Sequence, residues 1–169
     1  MTTTTTTTMT PDDTTELRAL VDTAHAAWGR NDAAAYAACF TPDSDYIAFD
    51  GTRLRGRAAN EKLHQDLFAG VLRGTRIVGE VDDIRPLGPD VALVHTHGAV
   101  LFPWQQQTPR ARASIQTMIA VRTDEGWRFA AFHNTRVRPL AQDGLFVRAF
   151  AWWVRMRTAA AQASAPATG

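Results

Sequence analysis

The sequence predicts an α+β fold, and three observations predict it. Apolar residues recur at helical spacing before Gly74 and at every second position after it. Turn signals, Gly88-Pro89-Asp90 and Asp124-Glu125-Gly126, join consecutive strand-like stretches, as in an antiparallel meander. The helices lead the strands instead of alternating with them, which disfavours a doubly wound parallel sheet. A last helical stretch follows the strands.

The first helix starts near Asp13, where Asp13 and Glu16 resemble a capping box. Leu17, Leu20, Val21, Ala24 and Trp28 then share one face, and Gly29 is a natural stop. Asn31 or Asp32 caps a short second helix that runs through Phe40 and presents Tyr36 and Phe40 on one side. Thr41-Pro42-Asp43 ends it. Asp45 to Phe49 alternates like a strand, Asp50-Gly51 turns, and Thr52 to Arg55 returns. Gly56 leads into a third helix over 57–72, stopped by Gly74. Strands are predicted over 75–85, 90–102, 111–123 and 127–137, with a long loop, Phe102 to Pro109, between the middle pair. After Pro139 a final helix over 143–157 places Leu145, Phe146, Phe150, Trp152, Trp153 and Met156 on one arc and Arg148 and Arg155 opposite.

Length and composition bound the organisation. A chain of 169 residues and 18.6 kDa is expected to form one domain, 13–157. The Thr-rich residues 1–12 and the Ala/Ser/Pro-rich residues 158–169 are expected to be disordered tails. Cys39 is the only cysteine, which rules out an intramolecular disulfide and a multi-cysteine zinc site. It reads as a small buried apolar residue. No apolar run reaches a membrane span and the start lacks a secretory pattern, so a soluble cytoplasmic protein is expected. Net charge is +1, which gives no global attraction to nucleic acid or an acidic membrane. Of 18 basic residues only Lys62 is lysine, a bias that GC-rich coding leaves, as in an actinomycete.

Trp28 and Asp32, Phe40-Thr41-Pro42-Asp43, Phe49-Asp50-Gly51 through Gly56, Val91-Ala92-Leu93-Val94-His95, and Gly126-Trp127-Arg128-Phe129-Ala130-Ala131-Phe132-His133-Asn134-Thr135-Arg136 carry a family resemblance. Over residues 15–138 the chain resembles the SnoaL-like, nuclear-transport-factor-like superfamily, and within it the SgcJ/EcaC family. The resemblance implies a strongly curved antiparallel sheet wrapped into a cone-like barrel against three helices. It further implies one pocket, a homodimer, and a place in polyketide or enediyne biosynthesis. Ketosteroid isomerase shares this general fold and works with an Asp base and two oxyanion donors. Approximate threading puts Ala24, Ile47 and Ile119 at those positions, and none can do acid-base work.

The candidate site is read from periodicity. Asn60 and His64 fall within the apolar arc of Leu63, Leu67, Phe68 and Val71, so a pocket is expected at that helix face. A three-residue turn would pair Thr123 with Trp127. Val121, Ile119 and Thr117 would then share the concave face with Trp127, Phe129, Ala131 and His133, and Gln116, Asn134 and Arg136 would lie outside. His64 and His133 are the candidate proton carriers. Trp28, Tyr36, Phe40, Asn60, Phe68, His95, Trp104 and Phe129 are the candidate substrate-binding residues. His95 and His97 share a strand face, a weak metal pattern that reads better as a hydrogen-bonded pair. Asp50 is explained by its turn, and His25 reads as structural. No metal and no organic cofactor is expected, because the chain has no phosphate-cradling glycine loop. The function these residues imply is a cofactor-independent cyclase, isomerase or dehydratase acting on an apolar small molecule. The alternative is a non-catalytic binding or accessory protein. The apolar arc of the last helix must pack on its own sheet, close the pocket or meet a second subunit.

Overall fold

A computed structural model describes residues 9–109, 112–138 and 144–163. Most of the two tails read from the sequence, and the turn holding Pro139, lie outside the described residues. The chain divides into two units, 1–137 and 138–169, each described by itself.

The first unit is α+β, as the periodicity predicts. Its order is α1 (Pro11–Gly29), α2 (Ala33–Ala38), β1 (Phe40–Ile47), β2 (Arg53–Arg55), α3 (Arg57–Ala69), β3 (Arg76–Gly88), β4 (Val91–Leu101), β5 (Ser114–Thr123) and β6 (Gly126–Arg136). The six strands form one curved sheet, ordered β2-β1-β6-β5-β4-β3. Every neighbouring pair is antiparallel except β1 with β6, which run parallel. That long-range pairing joins the N-terminal hairpin to the meander.

The helix ends follow local chemistry. The capping box of α1 is Thr10 with Asp13, three residues earlier than the sequence suggests. The Thr10 hydroxyl accepts from the Asp13 N–H at 3.3 Å, and the Thr10 N–H donates to the Asp13 carboxylate at 2.8 Å. A threonine serves as well as an aspartate here, and Pro11 suits the first helical position. Asp32 caps α2 through the Ala35 N–H at 2.9 Å. Helix α2 stops at Ala38, so Phe40 to Ser44 belong to β1 and not to the helix. Pairing of Phe40 with Phe129 of β6 starts that strand five residues before Asp45, and the register shifts between Phe40 and Asp45.

The turn at Asp50-Gly51 forms with Gly51 at φ +87°, but Ala48 pairs with Thr52, so the loop has three residues, Phe49 to Gly51, where the sequence reads a two-residue turn. The Ala48 N–H donates to the Thr52 carbonyl at 2.9 Å, and Asp50 accepts from the Thr52 N–H at 3.0 Å. In the long β3–β4 pair Gly79 and Gly98 face each other. A Cβ on Gly98 would meet the Val78 carbonyl oxygen at 2.4 Å, so only glycine permits the close approach. Along β4 the buried positions are Ala92, Val94 and Thr96, then Ala99 and Leu101, so the alternation shifts by one between Thr96 and Ala99.

Helix α1 lies against β3, α2 against α3, and α3 against β1. The core between helices and sheet holds Leu17, Val21, Trp28, Tyr36, Phe40, Tyr46, Phe68, Val94, Met118 and Phe129. Full burial of each large side chain stabilises by about 1.5–3 kcal/mol.

The second unit contains α4 (Leu145–Ala163). Within it Phe150 stacks on Trp153 with centroids 5.8 Å apart, and the Arg157 guanidinium sits 5.8 Å from the Trp153 ring centre. No helix among the described residues is long and apolar enough to cross a membrane.

Candidate functional site

Sheet curvature leaves a cavity of about 290 Å³ between the helices and the concave face. One end is an aromatic chamber. Trp28 of α1, Tyr36 of α2, Phe40 and Tyr46 of β1, and Phe129 and Phe132 of β6 line it. Tyr46 stacks flat on Phe132, with centroids 4.5 Å apart. Trp28 is held by its indole N–H, which donates to the Thr75 hydroxyl at 3.0 Å.

His64 enters this chamber from α3. The side chain is 2% exposed, and its ring lies 4.6 Å from Tyr36, 5.4 Å from Trp28 and 5.5 Å from Tyr46, centre to centre. Its Nδ1 is 2.9 Å from the Asn60 carbonyl oxygen, one turn back on the same helix. A carbonyl only accepts, so Nδ1 carries the proton and Nε2 keeps a free lone pair on the far side of the ring. Burial pushes the His64 pKa below its ordinary 6.5, so the ring stays neutral near pH 7. Burial raises Tyr46 to about 12 and Tyr36 well above 10. The two hydroxyls interact, which adds to the rise at Tyr36 and opposes it at Tyr46. Neutral phenols and a neutral imidazole beside them can donate to an oxygen and accept a proton.

Across β4, β5 and β6 runs a polar ladder. The Thr96 hydroxyl donates to the Gln116 side-chain oxygen at 2.7 Å, and the Gln116 amide nitrogen donates to the Asn134 side-chain oxygen at 3.3 Å. Beyond it lie Ser114, Arg112 and Arg136. Among the described residues the lining contains no Asp and no Glu.

Of the residues singled out from the sequence, His64, Trp28, Tyr36, Phe40 and Phe129 line this one cavity. Phe68 is buried behind it, 5.1 Å from Trp28 and 5.6 Å from His64. Asn60 is 0% exposed and outside the lining, so its expected place in the pocket is corrected. Its side-chain oxygen and nitrogen have no partner among the described residues, nor do the Thr41 and Ser44 hydroxyls. Helix α3 stands close to β1, so one turn along the helix separates a residue facing the cavity from one facing the strand. Trp104 is 75% exposed on its loop and stacks on Phe102, which does line the cavity.

His133 and His95 lie on the outer face, against expectation for both, His133 as proton carrier and His95 as a binding residue. Two shifts cause this. Thr123 pairs with Gly126 and not with Trp127, which turns Ala120, Met118, Gln116 and Ser114 inward. Ala130 is then bulged out, because Ala120 pairs with Phe129 and Ile119 with Ala131. A bulge inverts every later side chain. Phe132, Asn134 and Arg136 therefore face the cavity and His133 faces away. Gln116, Asn134 and Arg136 were expected outside and are corrected to the inside. His95 pairs with Thr117, and Thr117 with His133, so the two histidines stand two strands apart. Next to it His97 bonds Asp82 through Nδ1 at 2.5 Å. No group of three or more His, Cys, Asp or Glu suited to a metal occurs among the described residues.

Sequence reasoning passed over Tyr46, Phe132 and Arg112. Tyr46 had a signal: it is the inward neighbour of Ile47 in an alternating strand. Of the three threaded positions, Ile47 and Ile119 point outward and Ala24 lines the cavity, as does Tyr46. His25 also lines it, and burial lowers its pKa. Cys39 is buried, and burial pushes its thiol up to about 11, so it is no nucleophile.

The SnoaL-like domain model matches residues 17–135. Among solved structures, a domain of unknown function with a cystatin-like fold from Nostoc punctiforme is 31% identical, with a TM-score of 0.74, covering 92% of this chain and 98% of that one. An uncharacterized protein with a cystatin-like fold from Caulobacter vibrioides is 29% identical, with a TM-score of 0.60, covering 76% of this chain and 92% of that one. A ketosteroid isomerase-like protein from Erwinia carotovora atroseptica shares the fold at 17% identity and a TM-score of 0.61, covering 77% of this chain and 100% of that one. None of the curated proteins matches the chain. The family match spans well over half of the sequence, and the chain belongs to the SnoaL-like domain family.

Proposed function

We propose that the protein binds an apolar small molecule in its cone cavity and moves a proton on it without a cofactor, with His64 as the base. One observation carries this reading: a neutral imidazole whose Nδ1 is committed to the Asn60 carbonyl, leaving Nε2 basic inside an aromatic chamber with two phenols. In such a site, Nε2 takes a proton from a carbon or hydroxyl of the ligand. The Tyr36–Tyr46 pair stabilises the oxygen where charge develops. The chamber's aromatic walls lower the local dielectric, which strengthens each of these interactions. Isomerisation, cyclisation and dehydration all need this pair of actions. The motif over 126–136 supports a place in the SgcJ/EcaC branch and in polyketide-type biosynthesis, with a cytoplasmic homodimer as the working form. That no carboxylate lines the cavity among the described residues favours a second reading, a non-catalytic carrier of the same ligand.

Native mass spectrometry of the protein purified from its own host reads the retained molecule. In deuterated water, wild type should exchange a proton of that molecule and His64→Gln should not. A retained molecule that wild type never exchanges would establish the carrier reading. Protein that retains nothing would overturn both.

A further inference from the structure

We propose that helix α4 is a membrane-surface anchor, whose apolar arc enters the headgroup boundary of an anionic lipid bilayer while its arginines meet the lipid phosphates. A lipid surface is a fourth way to cover that arc, beside the sheet, the pocket and a second subunit. The inference goes beyond the cavity reading and does not depend on it.

The 19 residues of α4 span about 28 Å as a helix. Leu145, Ala149, Trp152 and Met156 recur at helical spacing on one side, and Trp153 extends it. Leu145, Trp152, Trp153 and Met156 are all exposed, Leu145 at 87% and Trp152 at 64%. Apolar side chains gathered in this way mark an interaction face. The two tryptophans matter beyond their area. An indole is apolar in its rings and polar at its N–H, which suits the boundary between acyl chains and headgroups. Helix α4 is not long and apolar enough to cross a membrane, so the fitting orientation is along the surface.

Charge decides which kind of surface fits. From Leu145 onward the sequence holds Arg148, Arg155 and Arg157 and neither Asp nor Glu. The whole chain carries only +1, but screening over about 8 Å lets a surface sense the local sign and not the sum. Arg148 and Arg155 lie about two turns apart on the side opposite the arc. A helix is about 10 Å across, so both stay within reach of the phosphate field. Arg157 falls inside the arc, its guanidinium 5.8 Å from the centre of the Trp153 ring. An arginine stem is apolar and can lie along the arc while its head rises to a phosphate. A second α4 laid on this arc would bring arginine to arginine with no acid in either helix. A nucleic acid would pair with the arginines and leave Leu145 and Met156 in water. An anionic bilayer takes both sets of side chains at once.

Flotation of the full-length protein with two kinds of vesicle tests this: phosphatidylcholine alone, and phosphatidylcholine with about 30% phosphatidylserine. Wild type should partition onto the anionic vesicles about 100-fold better, about fivefold for each of the three arginines. Added salt should erode that preference, a readout that needs no variant to fold. The triple variant Arg148→Gln, Arg155→Gln and Arg157→Gln should lose the preference. The double variant Trp152→Ser and Trp153→Ser should bind both kinds of vesicle about tenfold less. Wild type that stays off the anionic vesicles would overturn the proposal. Equal binding to the two kinds would overturn the anionic assignment, as would an unchanged preference in the triple variant. If wild type ignores vesicles and the double variant is a folded monomer where wild type is a dimer, the arc is a subunit interface and the proposal falls.

Discussion

Replacing His64 by Phe isolates the state of the candidate base. The ring slot is preserved, bounded by Trp28, Tyr36, Tyr46 and Phe68. At pH 7.5 the variant loses the hydrogen bond to the Asn60 carbonyl, about 1 kcal/mol, and gains an apolar ring in an apolar place. Its stability should lie within about 1 kcal/mol of wild type. Acid separates the two. The folded pKa of His64 is depressed by burial, below the ordinary 6.5 of the unfolded chain. Below pH 6.5 the unfolded state takes up a proton that the fold resists, so the His64 contribution is full above 6.5 and falls as pH falls. One pH unit below 6.5, a histidine kept fully neutral in the fold costs at most about 1.4 kcal/mol. His25 acts in the same direction in both proteins, because burial depresses it too. Urea unfolding followed by circular dichroism at pH 7.5, 6.5 and 5.5 should show His64→Phe losing less stability than wild type, by up to that amount. Parallel profiles would mean that His64 protonates freely in the fold, and a freely protonated His64 could not be the buried neutral base.

Three further outcomes are expected. Gly98→Ala places a Cβ 2.4 Å from the Val78 carbonyl oxygen and should cost about 1–3 kcal/mol, seen as a lower thermal midpoint; an unchanged midpoint would show that the β3–β4 contact is not tight. Asp13 is held at about 2 by the Thr10 N–H and then by Arg122, so its contribution is present above 3.8 and lost as pH falls through 2. Asp13→Asn should be less stable than wild type at pH 5 and should flatten the acid limb of the stability curve, whereas identical acid limbs would refute the pairing. For the proposed homodimer, sedimentation equilibrium should give twice 18.6 kDa, and a monomer at every concentration would remove it.

Local chemistry alone determined the class of fold and most element boundaries. The period of two after Gly74, the Asp50-Gly51 turn and the apolar stripe of α1 are short-range signals, readable without knowing what packs where. The aromatic chamber was legible for the same reason: Trp28, Tyr36, Phe40 and His64 lie on helical or strand faces whose apolar neighbours declare them inward. Partners distant in sequence decided the rest. Parallel pairing with Phe129 of β6 drew Phe40 out of the expected helix and into a strand. The one-residue slip at Thr123 and the bulge at Ala130 turned Gln116, Asn134 and Arg136 inward and His133 outward. A strand's alternation says only that neighbours oppose each other. Which set faces the core depends on register, and a single extra residue reverses it. Arg112 shows the limit most plainly: an arginine just before β5 reveals no environment in sequence, and only the folded sheet sets it over Phe102 at one end of the cavity.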